Sequence, residues 1–235
     1  MTKPVMSLAE AVSPIFDGAT VMISGFGGSG APLELVHALI DHGARGLTVV
    51  NNNAGTGRVG LAALIDSGAV EKVICSYPRT SDARAFTGRY LAGRIALELV
   101  PQGTLAERIR AGGAGIPAFF TPTAAGTDLA EGKEAREIEG VPCILEHWLR
   151  ADFALVKADL ADTYGNLTYR LTARNFGPIM CAAADLCIVQ AREIVEPGGI
   201  DPEHVITPGI YVHRITHVPD PAQEEILVAN NAVYP

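Results

Sequence analysis

Carboxamide side chains recur in this chain where apolar runs give way to polar residues, and a carboxamide can act on a carbonyl group. Asn51, Asn52 and Asn53 follow the β-branched run Leu47–Val50, and Gln102 follows Ile95–Val100. A carboxamide is a neutral donor of two protons, so it can hydrogen-bond a carbonyl oxygen as negative charge builds there. The same asparagines could instead serve only to satisfy loop backbone groups. A third boundary carries Ser24-Gly25-Phe26-Gly27-Gly28-Ser29-Gly30, after Thr20–Ile23 and before an amphipathic window. Glycines there let backbone N–H groups approach a phosphate at a helix N-terminus. The spacing satisfies G-x-G-x-x-G, whose dinucleotide form also needs an acidic residue about 20 positions on to hold a ribose. Asparagines 51–53 occupy that place, so neither NAD nor FAD is expected. Two readings stay open: a structural turn, or a cradle for another phosphate- or pantetheine-bearing ligand.

No nucleophile stands beside a base. The chain has no G-x-S-x-G and no carboxylate pair, and Cys75, Cys143, Cys181 and Cys187 form no C-x-x-C. Those cysteines are expected to be reduced, buried thiols. His213 and His217 share one face of an expected strand over Tyr211–Ile215 without a third ligand nearby, so no metal site is expected. By its chemistry the sequence reads as half of an active site.

Elements must bring these residues together. Strands are expected at Thr20–Ile23, Leu47–Val50, Val73–Cys75 and Ile95–Val100, separated by helices over Pro32–His42, Val59–Ile65 and Ala83–Leu91. A further helix is expected after the capping-box pattern Thr104-Leu105-Ala106-Glu107. Strand–helix alternation is the signature of right-handed βαβ units, so the fold class is α/β: an open, doubly wound, mostly parallel sheet. The glycine turn, Asn52 and Gln102 then lie at carboxyl ends of strands, where such sheets bind ligands. Gly112–Gly132 reads as a long loop of low charge, a candidate partner interface. More strands are expected at Val141–Glu146, Phe153–Lys157, Leu167–Arg170, Leu186–Val189 and Ile210–Ile215. One domain is expected over residues 1–217, with residues 218–235 as a tail, either an arm or frayed, that also contributes to the interface.

Composition narrows the class. With 235 residues, 48% hydrophobic and 19% charged, the chain is neither disordered nor too small for a core. A net charge of −8 without a basic block excludes a nucleic-acid binder. No apolar run reaches the roughly 18 residues of a membrane span, and Pro4 and Glu10 interrupt any signal-peptide core. A soluble, cytoplasmic protein is expected.

Longer stretches carry a specific resemblance. Asp17-Gly18, the apolar run after it, Gly25-Phe26 and Gly30-Ala31-Pro32 are followed by Asn52-Asn53-Ala54-Gly55, by the unbroken Pro101–Phe119 stretch, and by Ala173-Arg174-Asn175-Phe176. From about Asp17 to about Val218 the chain resembles the A-type subunit of the class I, or 3-oxoacid, CoA-transferases; Ser24 replaces the family's usual first glycine. The resemblance implies a CoA-transferase fold and a ping-pong reaction through a glutamyl-CoA thioester. It places the glutamate in a Glu-Asn-Gly motif of the B-type subunit, and no glutamate of this chain is followed by Asn-Gly. It also implies that Asn52 is an oxyanion donor and that Gln102 contacts the reactive glutamate or the substrate. Ser24, Gly25, Phe26, Gly27, Gly28, Ser29 and Gly30 would form the CoA-binding turn. Coenzyme A would enter as succinyl-CoA, a substrate thioester, with neither metal nor NAD, in an A2B2 heterotetramer. Pro78-Arg79-Thr80-Ser81-Asp82 looks like the 3-oxoadipate:succinyl-CoA transferases of aromatic-compound breakdown. Arg79 offers a planar fork for the second carboxylate of 3-oxoadipate, unless it is a surface residue and Thr80 or Ser81 caps the next helix. Acetoacetate- or acetate-directed transfer is the alternative activity, and a non-catalytic ligand-binding α/β module is the alternative of another class.

Overall fold

The computed structural model describes residues 2–234. Strands β1 (Thr20–Ile23), β2 (Leu47–Val50), β3 (Val70–Cys75) and β4 (Ala96–Leu99) follow in order across one half of a parallel sheet. Strands β5 (Ala118–Thr121), β6 (Ala135–Ile138) and β7 (Val141–His147) form a separate antiparallel sheet in the order β5-β7-β6. The chain then returns beside β1 with β8 (Ala151–Asp162), a short antiparallel β9 (Leu167–Thr168), β10 (Ala184–Val195) and β11 (Arg214–His217). The main order is β11-β10-β8-β1-β2-β3-β4. Its direction of growth reverses between β1 and β8, the switch point at which open α/β sheets leave a crevice.

Alternation along each strand sorts the core into two layers. Val21, Ile23, Val49 and Val73 face one way, toward Leu35 and Leu39 of α2 (Leu33–His42), Leu64 of α3 (Gly60–Asp66) and Phe86 of α4 (Arg84–Leu91). Met22, Val50 and Ile74 face the other way, toward Leu105 and Ile109 of α5 (Gln102–Ala114) and Met180 of α6 (Gly177–Ala183). Helices therefore cover both faces, and the doubly wound α/β class is what the chain adopts. Gly43 ends α2 with φ of 85°, a left-handed cap that favours glycine.

Several expected boundaries move. The strands near 153–157 and 186–189 are each twelve residues long, paired in register from Ala151 with Ala184 to Asp162 with Val195. The strand expected over Ile210–Ile215 starts only at Arg214, because Gly209–Tyr211 forms a 3₁₀ turn. Gly112–Gly132 is not one loop: it completes α5 and then contributes β5. The capping box at Thr104–Glu107 is absent, since α5 already begins at Gln102 after Pro101 and Thr104 is buried inside it. A full capping box instead joins Ser7 and Glu10 at the start of a short first helix, α1 (Leu8–Val12).

The C-terminal segment runs as an arm over α2 and α3. It carries α7 (Glu224–Ala229). Ala222 N donates to Glu34 Oε1 at 2.6 Å, and the ring of Tyr234 stacks on His37 at 3.8 Å between centroids. No helix among the described residues is long and apolar enough to cross a membrane, and all four cysteines are free and buried.

Candidate active site at the carboxyl edge of the sheet

The alternation that builds the core continues past the strand ends. Met22, Val50 and Ile74 point toward the α5 layer, so Ser24, Asn52 and Ser76, two residues further along each strand, leave the sheet on that same side. Helix α5 starts there with Gln102. The result is a compact amide cluster. Asn52 is 3% exposed, and its Oδ1 accepts from Ser76 Oγ at 2.7 Å and from Gln102 Nε2 at 2.9 Å. Both contacts fall on the oxygen, leaving the two Nδ2 protons for an acceptor from outside the chain. The asparagines on either side behave differently. Asn51 Nδ2 donates to Ile23 O at 2.7 Å, and Asn53 Oδ1 accepts from Gly55 N at 2.7 Å. Loop satisfaction thus accounts for Asn51 and Asn53, not for Asn52.

The glycine turn is shaped by packing. Ser24 Oγ donates to Gly30 O at 2.8 Å and accepts from Lys157 N at 3.2 Å, tying the turn to β8. Asn175 completes the brace: its Oδ1 accepts from Gly25 N at 3.2 Å and its Nδ2 donates to Ser29 O at 2.9 Å. Gly30 has φ of +78°, and a Cβ there would strike the Ala173 carbonyl. The following helix does not present an open anion site. Leu35 N donates to Gln190 Oε1 at 3.2 Å, and Glu34 places its carboxylate in the first turn. Glu225 of the arm lies directly over Gly28. Phe26 is 51% exposed, and Gly27 has open space around it.

Gly28, Ser29 and Gly30 also line a cleft of about 650 Å³ at the β1–β8 switch point, with Lys157, Arg170 and Arg192. Asn52, Gln102 and Arg79 do not line it. The structure therefore joins Asn52 to Gln102 and places the glycine turn on a cleft that neither of them lines. Arg79 sits exposed on the loop after β3, without an ion-pair partner among the described residues. Neither Thr80 nor Ser81 caps α4, whose N-cap is Ala83; the Thr80 hydroxyl instead donates to Gly55 O at 2.8 Å, pinning the loop beside the asparagines. No group of three or more metal-ligating side chains occurs among the described residues. Ser76, Asn175 and Gln190 were not singled out as site residues by sequence reasoning. Only the Ala173–Phe176 motif held a signal for one of them.

Comparisons with known proteins bear on the same stretches. Residues 5–217 match the family described as coenzyme A transferase. The chain is 56% identical over 229 residues to the A-type subunit of 3-oxoadipate CoA-transferase from Pseudomonas putida, covering 97% of this chain and 99% of that one. It is 48% identical over 215 residues to the A-type subunit of the probable succinyl-CoA:3-ketoacid coenzyme A transferase from Bacillus subtilis, 92% and 90% of the two chains. The crystal structure of glutaconate coenzyme A-transferase from Acidaminococcus fermentans superposes with a TM-score of 0.84 at 20% identity, over 97% of this chain and 83% of that one, a likeness of fold. With the family's pattern matched across most of its length, the chain belongs to the coenzyme A transferases.

Proposed function

We propose that this chain is the A-type subunit of a cytoplasmic transferase that moves CoA from succinyl-CoA to 3-oxoadipate, assembled as A2B2 with a B-type subunit. The observation that carries the reading is the Asn52 carboxamide, held by its oxygen with no partner on Nδ2 among the described residues, at the edge where α/β sheets bind ligands. The partner's glutamate carboxylate attacks the succinyl thioester carbonyl, the C–S bond breaks, and CoA leaves as thiolate from a succinyl-glutamyl anhydride. The thiolate then attacks the glutamyl carbonyl and expels succinate, leaving a glutamyl-CoA thioester. The carboxylate of 3-oxoadipate takes the CoA by the reverse sequence. Asn52 donates to the succinyl thioester oxygen as it gains charge when the glutamate attacks. The turn at residues 24–30 meets the pantetheine arm through Phe26 and Gly27, and the reaction uses neither metal nor NAD. Residues 1–217 form the working domain, and the β5-containing segment with the C-terminal arm forms the surface toward the B-type partner.

Two facts favour 3-oxoadipate: the 56% identity to a relative named for that substrate, along nearly all of both chains, and Arg79, exposed and without an ion-pair partner among the described residues, next in sequence to the Thr80 that bonds the asparagine loop. The test is an assay of the purified chain with and without its B-type partner, offering 3-oxoadipate and acetoacetate as acceptors. Activity only in the mixture, and greater with 3-oxoadipate, is expected. Transfer by the chain alone would overturn the half-site reading, and preference for acetoacetate would overturn the acceptor.

A further inference from the structure

We propose that Ser76 is a positioning residue for the transfer reaction, acting through Asn52; the inference rests on the role given to Asn52 above. The Asn52 side chain could be turned over about its last torsion without any change in shape, exchanging Oδ1 and Nδ2. In the inverted state its amide group would face the Ser76 hydroxyl and the Gln102 Nε2 donor, and its oxygen would face the thioester. An oxyanion cannot be stabilised by a carbonyl oxygen, so the amide's orientation decides whether the site functions.

Two donors set that orientation. Gln102 Nε2 comes from an exposed residue at the first position of a helix, and a glutamine carboxamide can itself turn over. It therefore defines the orientation of Asn52 only if it is itself fixed. Ser76 differs in two respects. Its backbone N–H donates to Asn52 O at 3.1 Å, so the two residues are locked together at the ends of adjacent strands. Its Oγ lies 2.7 Å from Asn52 Oδ1 and 3.1 Å from Asn52 O. The Oδ1 contact is the shorter of the two, so the proton goes there and favours the amide orientation with Oδ1 toward Ser76. Because a hydroxyl can also accept, this donation sets the orientation jointly with Gln102 Nε2. Donation into that oxygen also polarises the carboxamide and strengthens its N–H groups as donors. Both contacts of the Ser76 hydroxyl are to Asn52. Its contribution goes through the asparagine.

Kinetics of the assembled heteromer test this with Ser76→Ala, Ser76→Thr and Asn52→Ala, singly and with Ser76→Ala combined with Asn52→Ala. Ser76→Ala is expected to lower kcat by about tenfold with KM for succinyl-CoA within twofold, because the bond matters in the transition state and not for binding. Ser76→Thr, which keeps the hydroxyl, is expected to recover most of the rate. Once Asn52 is alanine, removing the hydroxyl is expected to cost nothing further. An unchanged kcat in Ser76→Ala, a parallel rise in KM, or full multiplicative loss in the double variant would overturn the proposal. Circular dichroism and the elution volume of the heteromer distinguish a misfolded variant, and a Ser76→Ala chain that folds and assembles only in part would likewise count against a positioning role. Should Asn52→Ala itself keep full activity, the underlying reading of Asn52 fails, a result distinct from a silent Ser76→Ala beside an impaired Asn52→Ala.

Discussion

Gln102 and Asn52 lie fifty positions apart in sequence, and Gln102 Nε2 donates to Asn52 Oδ1 at 2.9 Å. The contact forms because α5 begins immediately after Pro101, which brings its first residue to the carboxyl edge of β3 and β4. It adds a contact within the chain to the role expected of Gln102. The residue was expected to touch the reactive glutamate or the substrate, and here one of its amide protons is directed at Asn52. Its Oε1 and second amide proton stay available to a group arriving from the partner. In the proposed mechanism Gln102 and Ser76 together hold the Asn52 amide, and a pre-aimed dipole needs no reorganisation when charge develops.

Arg79 gives the first prediction. A bidentate guanidinium–carboxylate contact contributes about 1.5–3 kcal/mol, or roughly 10- to 100-fold. Arg79→Ala in the assembled enzyme is therefore expected to reduce kcat/KM for 3-oxoadipate by about that factor and for acetoacetate by less than threefold. Steady-state kinetics with the two acceptors measure the ratio. Equal losses would return Arg79 to the surface.

Glu224 gives a prediction about pH and stability. Burial, then the neighbouring Glu225 charge, raises its carboxyl to about 7 from an ordinary value of 4.5, with Lys157 opposing the shift. The folded state thus holds this proton more tightly than the unfolded chain does. Below about pH 4.5 the carboxyl is neutral in both states and costs nothing; as pH rises toward 7 and beyond, the folded state bears a growing penalty, on the order of 3 kcal/mol at its limit. Glu224→Gln is expected to raise Tm at pH 8 and to leave it unchanged at pH 4.5. A gain of the same size at both pH values would contradict this role for burial of the arm.

Much of the fold could be read from the sequence because β1 to β4 are short apolar runs alternating with helices. The same period-two logic carries Ser24, Asn52 and Ser76 to one side of the sheet. What escaped had weak local signals. Strand β6, Ala135–Ile138, is exposed throughout and half charged, so no apolar pattern marks it. The capping box at Thr104 matched in letters only, since α5 already begins at Gln102 with Pro101 as its N-cap, which leaves Thr104 Oγ1 buried without a partner among the described residues. The site was legible in its residue types but not in its pairings. Asn175 braces the glycine turn from 150 positions away, and Gln190 reaches Leu35 N from 155. The glycines left a structural turn and a ligand cradle open, and only the folded chain shows Asn175 and Ser24 bracing the turn and Glu225 lying over Gly28.

At the centre of the proposed mechanism, a carboxamide of this chain stabilises the charge created when a carboxylate of another chain attacks a thioester. Single-turnover and steady-state kinetics of Asn52→Ala in the assembled heteromer test this most directly. The predicted result is a fall in kcat of about 10²–10³, the usual cost of one oxyanion donor, with KM for succinyl-CoA little changed. An Asn52→Ala enzyme that turns over at the wild-type rate would contradict it.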